Sequence, residues 1–164
     1  MTEGQVHDEV VARRFVLVDE AGETRATLGL LTDGGPGLLL RDAAGATRVG
    51  LALQPDGTPS LALLDPSGEP RATLGFGPDG SPVLTLLDAA GQPRARLLLQ
   101  PDGSPHLVLG DATGRTRAVL CLDADGSPDL VLGDTVGTAR AGLGLGTDGS
   151  PHLGLYDAAT HPRA

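Results

Sequence analysis

His106, Asp129 and His152 stand 23 residues apart, each directly after a Ser-Pro pair. Imidazole and carboxylate are common ligands of divalent metals, so copies of this position gathered near a symmetry axis could hold a metal or an anion. The plainer reading is three surface residues at the heads of strands. A second constellation, Asp123-Ala-Asp-Gly-Ser, brings the carboxylates of Asp123 and Asp125 close to a hydroxyl, as calcium would require. No other unit repeats the first aspartate, and ordinary turn chemistry explains the motif equally.

Nucleophilic catalysis has little to draw on. Cys121 has no histidine beside it in sequence, and Ser81, Ser104, Ser127 and Ser150 recur identically inside turns. A catalytic site usually breaks the regularity of a repeat, and these serines obey it. Gly144-Leu-Gly-Thr-Asp-Gly matches a phosphate loop only loosely and has no helix after it. The expectation is a protein that is not an enzyme and needs no cofactor.

Charge pairs carry more information. Asp19, Asp42, Asp65, Asp88, Asp111, Asp134 and Asp157 precede Arg25, Arg48, Arg71, Arg94, Arg117, Arg140 and Arg163, each by six residues. Across a short hairpin loop such residues become neighbours, so seven structural ion pairs are expected. The aspartates of the Asp-Gly turns, Asp33, Asp56, Asp79, Asp102, Asp125 and Asp148, have no such arginine and supply most of the net charge of −9.

The seven arginines define a 23-residue register. A half repeat covers 14–24, full repeats cover 25–162, and 163–164 begin a seventh. Residues 14–164 are therefore one array, preceded by a polar leader or arm, 1–13, that could be a short helix or disordered. Within a unit, Ala72, Leu74 and Phe76 alternate with Thr73, Gly75 and Gly77, and Leu84 and Leu86 with Val83 and Thr85. Period two means strand. Pro78-Asp-Gly-Ser-Pro82 and Asp88-Ala-Ala-Gly-Gln-Pro93 supply the glycine and proline of two turns. Each unit is one β-hairpin, and the chain is an all-β antiparallel meander of about a dozen strands, rod-like or prism-like. Glycine and proline every few residues defeat any helical period.

Composition then bears on assembly. The chain has 164 residues, 40% of them apolar, yet its only aromatics are Phe15, Phe76 and Tyr156. Leu, Ala and Val make a thin core, and a leucine face on one sheet must be covered. Closing about a dozen strands into a barrel would leave a wide lumen that these small residues cannot fill. Association of identical chains, three above all, is the expected solution. The acidic balance argues against nucleic acid or anionic membrane as partner. No run of residues could span a bilayer as a helix, and no secretory signal is evident. The expected setting is the cytoplasm, a phage particle, or export by a signal-independent route.

The pattern Leu-x-Leu-x-Asp-x-x-Gly-x-x-Arg-Ala-x-Leu, at Leu84 to Leu97, resembles runs in uncharacterised bacterial β-hairpin-repeat proteins. In its alternating aliphatic strands and Gly or Pro turns, the array also resembles the shaft repeats of trimeric viral and phage fibres, the triple β-spirals. That resemblance implies a homotrimer with a structural or attachment role: a self-associating shaft, appendage subunit or scaffold. Two alternatives stand beside it. One is a single-chain solenoid or prism that binds a glycan or protein partner. The other is a subunit that polymerises end to end through unpaired strand edges.

Overall fold

The computed structural model describes residues 9–157, and they form one all-β antiparallel sheet. The strands are β1 (Arg14–Val18), β2 (Thr24–Leu30), β3 (Pro36–Arg41), β4 (Thr47–Leu53), β5 (Pro59–Leu64) and β6 (Pro70–Phe76). They continue with β7 (Pro82–Leu87), β8 (Pro93–Leu99), β9 (Pro105–Gly110) and β10 (Thr116–Leu122). The last three are β11 (Pro128–Gly133), β12 (Ala139–Leu145) and β13 (Pro151–Leu155). Their order in the sheet is their order in the chain. Residues 9–13 belong to no helix or strand, and the rest of the leader, 1–8, lies outside the described residues. Among the described residues no helix is long and apolar enough to cross a membrane.

Both connections of the repeat are built alike. Gln54 N–H donates to Thr58 O at 2.9 Å, and Gly57 N–H donates back to Gln54 O at 2.8 Å. In the other loop Asp88 N–H donates to Gln92 O and Gly91 N–H to Asp88 O, both at 3.0 Å. Gly57 has φ 85° and Gly91 φ 73°, the left-handed backbone that closes a hairpin of this length and that glycine adopts without a Cβ clash. Because every connection returns the chain to the adjacent position, strands touch only their sequence neighbours. The described residues therefore do not wind on themselves as a solenoid or single-chain prism, nor do they close into a barrel. The sheet stays one layer thick.

Register shifts occur at one edge only. Between β7 and β8 the pairing passes from Leu86↔Ala95 to Leu87↔Pro93, which leaves Arg94 as the extra residue. Arg25, Arg48, Arg71, Arg117 and Arg140 occupy the same bulge in their own units. The Asp-Gly edge has no shift. A bulge re-aims the side chain it carries, so the arginine register seen in the sequence is a register of bulges.

Candidate functional site

Strand alternation sorts each unit onto two faces. On one face a continuous central row runs across the sheet: Leu28, Leu38, Leu51, Leu61, Leu74 and Leu84, each paired with the next. It continues without a gap through Leu97, Leu107, Leu120, Leu130, Leu143 and Leu153. Phe15 extends it onto β1. A flanking row on the arginine side alternates leucine with a smaller residue, as in Leu86, Ala95 and Leu109. The opposite flank alternates leucine or Phe76 with proline, as in Phe76 against Pro82 and Leu99 against Pro105.

Among the described residues nothing covers this face. Leu97, Leu120 and Leu143 are 52%, 51% and 54% exposed, and Cys121, on the other face, is the one buried apolar side chain among the described residues. Shallow apolar grooves repeat along the leucines at the 23-residue period, with volumes of about 350, 430 and 380 Å³. One is lined by Leu74, Leu84, Leu97 and Leu99 together with Pro82 and Pro105. The next lies among Leu97, Leu107, Leu120 and Leu122, between Pro105 and Pro128.

The reverse face carries the charged clamps. Arg48 stands 3.4 Å from Asp42 Oδ2, and its Nε donates at 3.0 Å to the carbonyl of Leu64. Arg71, Arg94 and Arg117 repeat this, with aspartate distances of 3.5, 3.4 and 3.8 Å and carbonyl partners Leu87, Gly110 and Gly133. Arg25 and Arg140 sit 2.5 Å from Asp19 and Asp134 and donate to the carbonyls of Asp42 and Asp157. Each arginine thus ties its own strand to the strand before it and the strand after it. Arg163 lies outside the described residues.

The same aspartates organise their loops. Asp88 Oδ1 accepts from Ala90 N–H at 2.9 Å and Gln92 N–H at 3.0 Å. The Gln92 amide first, then Ala90 and Arg94, holds its carboxyl below the usual carboxylate value. In the Asp-Gly turns Asp33, Asp56, Asp79, Asp102, Asp125 and Asp148 each accept a backbone N–H two residues on. These acids are turn-formers without an arginine. Asp125 uses its carboxylate on Ser127 N–H, and among the described residues no three metal-ligating side chains converge, at Asp123 or elsewhere.

His106, Asp129 and His152 fall on the reverse face in one lateral row with Cys121 and Gly144 between them. An axis lined by the leucine face therefore cannot also be lined by these histidines, because alternate residues of a strand point to opposite sides. Their proposed ring around a symmetry axis is incompatible with a leucine interior. Sequence reasoning missed that Asp129 and His152 approach one another, with Oδ1 and Nε2 3.9 Å apart, since a whole strand, β12, lies between theirs. It also missed that Cys121 packs beside Asp129, donating to its carbonyl at 3.7 Å. Burial first, then the charges of Asp123 and Asp129, pushes the Cys121 thiol above its usual value.

No family model matches this chain. No curated protein matches it either. Among solved structures it is similar to the TCP domain of SAS-4 (dCPAP) of Drosophila melanogaster in complex with a proline-rich motif of Ana2 (dSTIL). That match has a TM-score of 0.44 and 13% identity over 99% of this chain and 96% of that one. A second is the TCP10 domain of Danio rerio CPAP in complex with a peptide of Danio rerio STIL, at TM-score 0.22 and 16% identity over 92% and 97%. Superpositions this loose carry no argument about function.

Proposed function

We propose that this β-hairpin repeat protein is a non-enzymatic, self-associating structural element, a shaft or scaffold whose leucine faces meet in a homotrimer. The uncovered central leucine row carries this reading. A face about 60 Å long and about 20 Å wide, at ~4.7 Å per strand and ~3.3 Å per residue, presents on the order of 1,000 Å² per chain. That exceeds the roughly 800 Å² a partner contributes to a standard interface. The face bears no charge, so its cover must be apolar and ladder-like. Another copy of the chain supplies a matching surface, with leucines spaced to enter the repeating grooves.

Row volumes favour three copies over two. In a triangular prism with sides of about 20 Å, each sheet lies about 6 Å from the axis, near half the ~10 Å between packed sheets. The central row then reaches the axis, and the flanking rows crowd where neighbouring sheets meet. Uniform leucine at the centre suits the axis. Alternating Leu/Ala and Leu/Pro at the flanks lets a large residue of one sheet lie against a small one of the next. Two facing sheets have uniform spacing and no reason for this taper. The reverse face, with its clamps, becomes the outer wall.

Sedimentation equilibrium of the full chain tests this. Three chains of 16.6 kDa give a species of about 50 kDa. A cooperatively folded monomer at micromolar concentration would overturn the proposal, and a dimer would overturn the prism.

A further inference from the structure

From β2 to β13 the two ends of each strand on the leucine face carry one bulky residue and one smaller one. On β6 the arginine end is Ala72 and the turn end Phe76, while on β7 the arginine end is Leu86 and the turn end Pro82. β8 repeats β6 with Ala95 and Leu99, and β9 repeats β7 with Leu109 and Pro105. The alternation continues to β12 and β13. Only β4 departs from it, with Val49 and Leu53. The bulky ends lie open: Phe76 is 47% and Leu86 48% exposed.

Within one chain the two sizes never meet. Ala72 and Phe76 are four residues apart on one strand, about 13 Å at ~3.3 Å per residue, too far to touch. Their match therefore acts where the flanks of different copies come together. A threefold axis along the stack of strands brings this about. Rotation carries each sheet onto the next without turning it over, so at every corner of the prism the arginine flank of one chain meets the turn flank of its neighbour.

We infer, resting on the trimer proposed above, that the three chains run parallel and in register, the turn end of each strand seated against the arginine end of the same strand in the next chain. Phe76 of one chain lies on Ala72 of the next, and Pro82 on Leu86. One bulky and one smaller residue share each level of the corner, as close packing requires. A shift of one strand would set Phe76 against Leu86 and Pro82 against Ala95, crowding alternate levels and leaving voids between them. A shift of two strands restores the sizes but leaves strand ends without a partner at both ends of each corner, so less apolar surface is buried.

The test is disulfide trapping in the full-length chain carrying Cys121→Ser. With Ala72→Cys and Phe76→Cys together, mild oxidation is expected to give a covalent trimer on denaturing electrophoresis, which a thiol reductant dissolves. The two sulfurs of one chain cannot join each other, because bridged Cα atoms lie within about 7 Å. Phe76→Cys with Leu86→Cys or Leu63→Cys reports a shift of one strand, and Phe76→Cys with Ala95→Cys or Val49→Cys a shift of two. All four should stay monomeric on the gel. Trapping by a shifted pair in place of the level pair would overturn the register and leave the trimer standing. A monomer or dimer mass for the unaltered chain in sedimentation would remove the trimer and the register with it. A size swap probes the same corner without cysteine. Ala72→Phe is expected to weaken association at least tenfold, and Ala72→Phe combined with Phe76→Ala to restore it. Failure of the swap, or no trapping by the level pair while the unaltered chain has a trimer mass, would overturn the register alone.

Discussion

Arg94 Nε donates a 2.9 Å hydrogen bond to the carbonyl of Gly110, 16 residues further on, while its Nη1 stands 3.4 Å from Asp88 Oδ2. One guanidinium therefore joins the ends of β7 and β9 to the β8 bulge between them. In a one-layer sheet, where no second layer braces the strands, such lateral ties set how neighbouring hairpins lie against each other. The planar fork of arginine can serve a carbonyl and a carboxylate at once, and the ammonium of lysine, a point charge, is a poorer match.

Arg94→Lys is therefore expected to lower the urea midpoint although charge is kept, and Asp88→Ala to lower it further. Asp88 also accepts the Ala90 and Gln92 amides, so its loss releases the loop as well as the clamp. Equal midpoints for Arg94→Lys and the parent chain would show that the carbonyl bond contributes nothing.

Gly91 has φ 73° with open space around it, so Gly91→Ala is penalised by backbone conformation and not by a clash. A left-handed alanine costs about 1–2 kcal/mol. Gly50 lacks that conformation, and a Cβ there would meet only Leu39 Cδ2 at 3.6 Å. Gly50→Ala should be neutral or stabilise by a few tenths of a kcal/mol. Denaturant unfolding of both variants separates the two roles of glycine.

Acid should unfold the sheet through its turns. The Ser81 amide lowers the Asp79 carboxyl, the Ser67 hydroxyl that of Asp65 and the Thr113 hydroxyl that of Asp111, all from 3.8. A carboxylate whose folded value lies below its unfolded one contributes stability in full above the unfolded value and loses it as pH falls through the folded one. Stability should therefore be level from neutrality to about pH 5 and fall steeply below about pH 4. A decline beginning near pH 6 would point to histidine instead.

Leu97→Ala distinguishes a covered ladder from a bare one. In the single chain Leu97 is half exposed, and its truncation should cost little. Buried in an assembly the same change costs about 2–5 kcal/mol, and the unfolding midpoint of the parent chain should rise with protein concentration. Leu120→Glu should block association altogether, read as a monomer mass in sedimentation.

Cys121 is 8% exposed and its thiol is pushed up, so native protein should react slowly with a disulfide reagent at pH 8. Reaction should accelerate on adding urea. Fast native labelling would show that β10 opens at this position.

Much of this architecture is legible in the sequence. Arg94 and its equivalents mark the period, Gly91 and Gly80 mark the turns, and Leu84 with Leu86 marks the strand face, because turn chemistry and side-chain alternation are local. The candidate assembly face was legible for the same reason. Hidden from view were the bulge at Arg94, the bond from Arg94 to Gly110, and the meeting of Asp129 with His152 over Gly144. Each depends on cross-strand register, which brings together residues 16 to 23 positions apart.

Sequence alone determined an all-β hairpin meander with a leucine face, since a two-residue period and a glycine at every loop leave no other local conformation. Only the tertiary structure decided that the strands remain a single open layer, because five-residue hairpins return the chain to its neighbour and nothing folds the sheet upon itself. It also decided which residues meet across strands: pairing through β12 sets Asp129 and His152 on either side of Gly144, and the bulge at Arg94 turns its guanidinium to Gly110. Parity within a strand is local, but register between strands is set only when they pair.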